Sequence, residues 1–577
     1  MIPNLFQSDN KMKSKYILPL LAAGAMALGS MTACSDMMDT ESASHRYDNG
    51  QNLDTAADSL YSVMGILSQV QKLGERYVLL GELRGDLMQA TSDADFSLQE
   101  VSNFNISADN VYLDRRDYYS IINNCNYALQ RINPNVAIHG EKVFEKEAAA
   151  IRTFRAWTYL QLALTFGEAR YFTSPILSLE DSIEDYPTVN LDGLLPLLIA
   201  DIEPISGLYT PDYGSVDGFN STKFFINPMI LLGDLYLTQN NYEQAAAMYY
   251  AYIERSRITM NYDNGNRWNS TSRDGGTFNN VTAYGNDNET IEMIPYSSNG
   301  WEIHPNLVNL TYHQRPAVVA ADWFIKEMED APYYQADAIT SNLLAGTLQG
   351  DCRGVMVYRD GKTVKSSLYG PVTTGSNTSQ TLITKYYHNG SENSSLTNDD
   401  NEVLTTVRQT RRIDLCRNSH VYLRFAEAAN RAGKPTLAFA VLKYGLRTDV
   451  MDPEAGLIDP TELESGQNWL NWEVLDLDNR GTAVRGRGLG IRLNLATVDY
   501  QIPADLTPEE KTLWVEDEIV REMAAETAFE GNRFFDLMRI SRHRGSPAYF
   551  AETVSRRADN PAALAARLAD QSNWYLK

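Results

Sequence analysis

The sequence predicts a mainly α-helical protein made of helix pairs, with long loop-rich insertions between them. Helix–turn–helix patterns occur at residues 223–256 and again at 419–446. In both, apolar residues recur at helical spacing on either side of a short turn. The stretches 261–416 and 451–501 are instead rich in Gly, Asn, Asp or Ser. Long ordered loops of this kind on a helical scaffold tend to carry function.

Length and charge argue against several classes of protein. The chain has 577 residues, 43% of them hydrophobic, so it can bury a large core and is not disordered as a whole. Its formal charge of −24 argues against a nucleic-acid binder, because phosphate contacts need clustered Lys and Arg. Four cysteines are too few for a disulfide framework in a chain of this size.

The N-terminus has the pattern of a signal peptide, which we assign to residues 1–33. A basic stretch, Met12–Lys15, leads into an apolar core from Tyr16 to Leu28. This core of about 13 residues is shorter than the roughly 20 that a membrane-spanning helix needs. The residues before Met12 are unlike the usual basic region, so both Met1 and Met12 stand as candidate starts.

The apolar core is followed by small residues and a cysteine, in the order Ser30-Met31-Thr32-Ala33-Cys34. This order resembles a bacterial lipoprotein signal box, with Met31 in the position usually held by Leu. Processing would leave Cys34 as the first residue, carrying acyl chains such as palmitate that anchor the protein without a transmembrane helix. Residues 34–50 would then form a lipidated tether. The alternative is an ordinary signal peptide with an incidental cysteine.

The first helical patterns of the body lie at 54–73, 117–132 and 141–166, and a polar, loop-like stretch occupies 86–108. In the longest of these helices the apolar residues keep to one face, and Gly167 is a fitting residue to end it. Three residues inside these helices are expected to pack in the core: Cys125, Trp157 and Tyr159.

The two helix pairs have clear start and stop signals. Asn227 and Pro228 form a strong helix start, with Asn as the cap and Pro at the first helical position. In the second pair, Gly433 ends one helix and Pro435 opens the next. These pairs resemble tetratricopeptide hairpins. The predicted scaffold covers residues near 54–256 and 419–446.

The stretch 515–539 combines an amphipathic helix with charged residues placed among Phe534, Phe535 and Leu537. Such charges are costly to bury unless they are paired. We therefore expect a folded network that includes four of them: Glu526, Glu530, Arg533 and Asp536. Two carboxylates and an arginine also suit a catalytic cluster, but a structural role is favoured because buried ion networks commonly exist without chemistry. Arg424 and Glu427 lie three residues apart on a predicted helix and can pair.

The C-terminal stretch also resembles a known family. Glu522 and Glu526 lead into Glu530-Gly531-Asn532-Arg533-Phe534-Phe535-Asp536-Leu537-Met538-Arg539, which is similar to the C-terminal signature of the SusD/RagB family. Thr527 departs from the leucine that is more common there. Residues 421–433 and 152–162 are similar to two further segments of that family. The signature residues are Glu526, Glu530, Gly531, Arg533, Asp536 and Arg539.

The resemblance implies a fold and a function. Residues 51–577 would form a single SusD-like domain, and the protein would be a nutrient-binding lipoprotein on the cell surface of Bacteroidetes. It would capture an extracellular oligosaccharide and deliver it to a SusC-like TonB-dependent β-barrel transporter in the outer membrane. Capture of a peptide or another non-sugar nutrient is the alternative, followed by a surface glycoside hydrolase. Binding and delivery need no catalytic residues.

Motifs for chemistry are missing from the sequence. It has no H-E-x-x-H, C-x-x-C, G-x-x-x-x-G-K-[ST] or G-x-S-x-G, so a zinc, redox, nucleotide or serine-hydrolase site is not indicated. Residues 476–481 begin like a calcium loop, but Arg487 stands where a bidentate Glu is required. No cofactor is predicted, although calcium stays open.

Aromatic residues in the insertions are the candidate ligand contacts, because sugar rings present apolar C–H faces that stack on Trp and Tyr. Each of them can equally be a buried anchor for a long loop. The candidates are Trp268, Trp301, Tyr312, Trp323, Trp469 and Trp472, with Tyr333 and Tyr334 as further positions.

Overall fold

The computed structural model describes residues 56–133, 136–138, 141–142, 144–259, 288–297, 304–336, 343–351, 353–354, 356–358, 363–364, 368–374, 378–388, 390–392, 408–463, 483–485 and 500–577. Within these ranges most residues are helical and the strands are short, which confirms the predicted fold class. None of the described helices combines the length and the apolar character needed to cross a bilayer.

The helices before residue 260 are α1 (Ala56–Val70), α2 (Gly74–Glu82), α3 (Phe96–Ser102), α4 (Arg116–Arg131), α5 (Glu145–Phe166), α6 (Leu179–Ser182), α7 (Leu191–Ile202), α8 (Pro228–Thr238) and α9 (Tyr242–Ser256). The later helices are α10 (Leu307–Thr311), α11 (Asp322–Asp330), α12 (Lys385–His388), α13 (Asn418–Arg431), α14 (Pro435–Lys443), α15 (Thr448–Met451), α16 (Pro460–Leu463), α17 (Pro508–Glu526), α18 (Arg533–Arg544), α19 (Pro547–Ser555) and α20 (Pro561–Leu568).

The strands pair into small antiparallel ladders. They are β1 (Met88–Ala90), β2 (Ala137–Ile138), β3 (Glu141–Lys142), β4 (Glu168–Arg170), β5 (Thr188–Asn190), β6 (Ser215–Val216), β7 (Phe219–Asn220), β8 (Thr290–Pro295), β9 (Val318–Ala320), β10 (Pro332–Ala336), β11 (Leu343–Gln349), β12 (Met356–Tyr358), β13 (Thr363–Val364), β14 (Tyr369–Thr374), β15 (Thr378–Ile383), β16 (Gly390–Glu392), β17 (Arg408–Thr410) and β18 (Arg412–Arg417).

The ladder between β8 and β18 joins the two sides of the long insertion. Ile294 pairs with Ile413, so the chain returns beside the point where it left the helical scaffold and enters α13 directly. Similarly, β1 pairs with β9, and Met88 lies opposite Ala320. These two ladders attach the insertion to the scaffold.

Both predicted helix pairs are confirmed. The Asn227 side chain accepts a hydrogen bond from the Met229 backbone N–H at 3.0 Å, as a cap does, and α8 packs on α9. In the second pair, Gly433 takes a positive φ of 81° between α13 and α14, a conformation that glycine adopts at little cost. Helix α13 packs against both α9 and α17, so the pairs share one core.

Helix α5 differs from its prediction. The pattern indicates one apolar face, yet nearly every residue from Ala149 to Phe166 is buried. The reason is that α4, α7 and α8 all pack on this helix, which leaves it little exposed surface. The predicted core positions Trp157 and Tyr159 are buried, as is Cys125 on α4, so those three predictions are confirmed.

Two other expectations were wrong in part. The stretch 86–108 contains strand β1 and helix α3, where Asp95 caps the helix by accepting from the Leu98 N–H at 2.9 Å. The insertion at 261–416 contains strands as well as loops. Short strands are weakly marked in sequence because their pairing partners are distant.

We expect Gly531→Ala to destabilise the protein more than Gly545→Ala does. Both glycines have positive φ, which costs a residue with a Cβ roughly 1–2 kcal/mol. A Cβ at Gly531 would also lie 2.6 Å from Tyr77 Cε1, whereas open space surrounds the position at Gly545. Overpacking adds typically about 1–3 kcal/mol.

Urea unfolding monitored by circular dichroism measures both free energies. Equal losses of unfolding free energy in the two variants would show that the contact with Tyr77 adds no cost to a side chain at position 531.

Candidate functional site

The carboxylates on α17 bind an arginine from the distant insertion. Arg353 is fully buried, and its Nη2 donates to Glu522 Oε2 at 2.9 Å while its Nη1 donates to Glu526 Oε2 at 3.2 Å. The same guanidinium donates to both carboxylate oxygens of Asp351, at 2.9 and 2.7 Å. Three carboxylates therefore surround one cation, and Arg485 donates a further hydrogen bond to Glu522 at 2.6 Å.

Glu530 is held by cations from two other segments. Arg417, at the end of β18, donates to its two oxygens at 2.9 and 2.7 Å, and Lys385 on α12 also donates to it. Burial by itself would raise the pKa of Glu530, but Arg417 and then Lys385 hold that pKa well below its usual value. The nearby His420 is kept neutral, since burial lowers its pKa.

The turn between α17 and α18 is fixed by groups on α2 and α12. The carboxyl group of Glu82 accepts hydrogen bonds from the Gly531 N–H at 2.7 Å and the Phe529 N–H at 3.2 Å. Tyr386 donates to the Phe529 carbonyl at 2.8 Å. Burial raises the pKa of Glu82 to about 8, although the hydrogen bond from Gly531 offsets part of that effect. The turn between α17 and α18 is therefore bonded to both α2 and α12.

The expected network of signature residues is only partly right. All the signature residues are buried or paired, but they form separate clusters. Arg533 donates to Asp86 at 2.6 and 3.0 Å, and Arg539 binds both Glu427, at 2.6 and 2.9 Å, and Asp536, at 2.9 Å. Asp86 lies between α2 and β1 and Glu427 lies on α13, whereas Asp536 is on the same helix as Arg539. The signature residues meet different partners because neighbouring positions on a helix point to different sides.

The predicted Arg424–Glu427 pair is wrong. Arg424 instead donates to both oxygens of Asp234 on α8, at 3.0 and 2.9 Å, and Glu427 binds Arg539. Both contacts cross between helices, so they add to packing in a way that a pair on one helix would not. Both residues still have the structural role that was predicted for them, because each forms an ion pair that joins two helices.

A cleft of about 570 Å³ is the candidate ligand site. Helices α11, α17 and α19 form its walls, and the predicted contact residue Trp323 lies in it, half-buried. The indole N–H of Trp323 donates to the Asp86 carbonyl at 2.6 Å, which fixes the ring, and the guanidinium of Arg556 lies 4.0 Å from the ring centroid. Trp323 is thus both an anchor of α11 and part of the cleft wall.

Charged groups surround the aromatic ring in this cleft. Arg521 pairs with Glu518 at 2.5 Å and with Glu327 at 3.3 Å, and Asp517 pairs with Arg544 at 2.7 Å. An aromatic ring beside hydrogen-bonding charged groups suits a ligand with an apolar face and many hydroxyls. A second cavity, of about 420 Å³ beside α9, is lined mainly by polar residues and contains no tryptophan among the described residues.

Tyr312 is stacked on Tyr387, which was not among the predicted contact residues. Its ring centroid lies 4.0 Å from that of Tyr387, with an interplanar angle of 16°. Both rings are half-buried, so the stacked pair leaves part of each ring exposed. The signal for Tyr387 is weak because it follows Tyr386 in a short helix, α12, and the sequence does not indicate which of the two rings meets Tyr312.

The remaining candidates lie outside the described residues: Cys34, Trp268, Trp301, Trp469, Trp472 and the calcium-like loop at 476–481 with Arg487. Tyr333 and Tyr334 lie on β10. Across the described part of the chain, no cluster of His, Cys, Asp or Glu suits a metal ion. The ligand contacts expected of the aromatic residues stay predictions.

Comparisons with known proteins identify the fold. No protein-family model matches the chain, and no curated protein sequence matches it. Solved structures do match over most of its length. A SusD superfamily protein from Bacteroides vulgatus has a TM-score of 0.54 at 15% identity, covering 89% of this chain and 93% of its own. The chain has the SusD-like fold.

Two further structures agree on the SusD-like fold. A SusD superfamily protein from Bacteroides thetaiotaomicron has a TM-score of 0.52 at 17% identity, with 84% of this chain and 89% of that chain covered. A SusD-like carbohydrate binding protein from Bacteroides fragilis has a TM-score of 0.51 at 15% identity, with 85% and 87% covered. The resemblance drawn from the sequence motifs is confirmed at the level of the fold.

We expect Glu530→Gln to lower the free energy of unfolding by about 3 kcal/mol at pH 7, because it leaves buried cations without their carboxylate. The pKa of Glu530 lies below the unfolded value of 4.5, so its stabilising effect is present above that pH and lost as pH falls. The variant should therefore lose less stability than the parent on acidification. Denaturant unfolding at a series of pH values tests this.

Glu82→Gln is the matched control, because the Glu82 carboxyl group changes stability with pH in the opposite direction. The raised pKa of Glu82 means that its ionisation destabilises the folded state as pH rises from 4.5 towards 8. In this variant the free energy of unfolding should change less between pH 4.5 and pH 8. Below pH 4.5 its dependence on pH should match that of the parent protein. Identical profiles for both variants would contradict the assignment of the two carboxyl groups.

Proposed function

We propose that the protein is a cell-surface lipoprotein that binds an extracellular oligosaccharide and delivers it to a SusC-like TonB-dependent transporter in the outer membrane. The observation that carries this proposal is the SusD-like fold, shared over most of the chain with a carbohydrate binding protein from Bacteroides fragilis. The fold supports nutrient binding. Delivery to a transporter is proposed from the resemblance of the sequence motifs to the SusD/RagB family.

The cleft supports a sugar as the ligand. A half-buried tryptophan, Trp323, lies in the same wall as Arg556 and close to Arg521 and Asp517. An apolar ring covers the C–H face of a sugar, while fixed charged groups form hydrogen bonds with its hydroxyls. The stacked pair of Tyr312 and Tyr387 offers a second aromatic surface. Binding alone suffices, and no reaction is included in the proposal.

The N-terminal pattern supports the location. A signal peptide that ends in a lipoprotein box at Cys34 would place acyl chains on the mature N-terminus. More than one acyl chain gives stable anchoring to a bilayer. The SusD-like domain would then lie at the membrane surface, where a transporter can receive its ligand.

We expect Trp323→Ala and Tyr312→Ala each to weaken binding of the glycan about tenfold, the change that follows from a loss of about 1.4 kcal/mol. Affinity electrophoresis against a panel of glycans and a panel of peptides measures this. Trp514→Ala is the matched control, since Trp514 is also half-buried but packs on Phe439 and Tyr500, away from the cleft.

Binding to peptides and to no glycan would overturn the sugar assignment and favour another nutrient. Turnover of a bound glycan by the purified protein would overturn the proposal that the protein only binds.

We expect Cys34→Ser to remove labelling by radioactive palmitate and to release the protein from the membrane fraction, because the thiol is the site of acylation. Cys125→Ala is the control, since it changes a buried thiol of the core. The measurement is fractionation and labelling in a Bacteroides host. Unchanged labelling of Cys34→Ser would rule out this anchor.

A further inference from the structure

An excess of arginine surrounds Asp86 at the wall of the cleft. Asp86 is fully buried and is shared by two guanidinium groups. Arg533 donates to it at 2.6 and 3.0 Å, and Arg556 donates at 2.8 Å. One negative charge thus faces two positive charges.

Two more buried arginines, Arg84 and Arg557, form no direct ion pair with a carboxylate among the described residues, although the charge of Asp86 also acts on Arg557. Arg557 donates to the carbonyls of Gly85 at 2.6 Å and Leu83 at 2.8 Å. Arg84 donates to the carbonyl of Trp574. Burial lowers the pKa of Arg84 to about 9 and that of Arg557 to about 10, as expected for cations taken out of water.

Arg556 is the member of this group that meets solvent. Its side chain is 46% exposed and lines the cleft, with its guanidinium over the ring of Trp323. Because the positive charges behind it are buried in a region of low dielectric constant, their field is poorly screened and reaches the cleft at this point. An anion beside Arg556 would compensate a charge that Asp86 only half offsets.

The carboxylates that line the cleft do not cancel this charge, because each is already paired with a cation. At the floor, Asp351 and Glu522 are buried against Arg353, and Glu522 also binds Arg485. At the mouth, Asp517 pairs with Arg544 and Glu327 with Arg521. Asp330 lies 3.8 Å from Lys326. The carboxylates at the mouth are more than half exposed, so water and salt screen them strongly.

We propose that this cleft takes an anionic glycan, with Arg556 binding a carboxylate or sulfate group of the sugar. Guanidinium groups bind such anions through charge-assisted hydrogen bonds that are stronger than those to neutral hydroxyls. The inference rests on the proposed function, because it specifies the class of sugar for the same cleft. A local positive charge is needed for such a ligand, because the formal charge of −24 on the whole protein repels anions.

Affinity electrophoresis of the purified full-length protein in detergent tests the inference with pairs of probes that share a sugar backbone and differ in charge. One pair is dextran and dextran sulfate, and the other is methyl-esterified pectin and polygalacturonate. We expect the protein to be retarded by at least one anionic polymer and by neither neutral polymer. The two anionic polymers distinguish a sulfate from a carboxylate as the recognised group.

Arg556→Gln should weaken binding to the anionic polymer at least tenfold, and Arg556→Lys should restore part of it. Arg152→Gln is the matched control. It removes the same charge from a side chain of nearly equal exposure, 42%, that pairs with Asp201 on α7 and does not line the cleft, so we expect a change of less than about twofold. In Arg556→Gln, Arg533 keeps both hydrogen bonds to Asp86, and an unchanged melting temperature verifies the fold.

Binding to the neutral polymers with equal or greater affinity would overturn the inference and leave the proposed function intact. Equal losses for Arg556→Gln and Arg152→Gln would also overturn it, because general attraction rather than this contact would then bind the anion. Failure to bind any polysaccharide would overturn both the inference and the proposed function.

Discussion

The buried ion pairs that fix the turn between α17 and α18 determine how the distant parts of the chain meet. Glu530 in this turn binds Arg417 from β18 and Lys385 from α12, while Glu82 on α2 accepts hydrogen bonds from the Gly531 backbone. A buried carboxylate of this kind is tolerated only if each charge has a partner. The N-terminal helices, the insertion and the C-terminal helices are therefore constrained to pack at this point.

The candidate ligand cleft is a consequence of the same constraint. Helix α17 presents Glu522 to Arg353 of the insertion and, one position earlier, Arg521 to the cleft. Helix α11 is held opposite by the hydrogen bond from Trp323 to the Asp86 carbonyl. Because helices position side chains more precisely than loops do, Arg521 and Trp323 are well placed to define two sides of the cleft.

Sequence patterns found some residues of the site and missed others. Trp323 and Tyr312 were selected because they are aromatic residues in a long insertion, and sugar rings stack on such side chains. Tyr387 and Arg556 were missed because their importance depends on a partner: a stacked ring for the tyrosine, and a shared carboxylate for the arginine. When two partners are far apart in sequence, no local pattern of residues predicts that they will be in contact.

The sequence by itself determined the helical class, the two helix pairs with their Asn227 cap and Gly433 stop, and the resemblance to SusD-like proteins, because periodicity and capping are local properties. Only the tertiary structure decided that α5 is buried on nearly all sides and that Arg424 binds Asp234 rather than Glu427. Burial and ion pairing are contacts between segments, and their free energies depend on which surfaces the fold brings together.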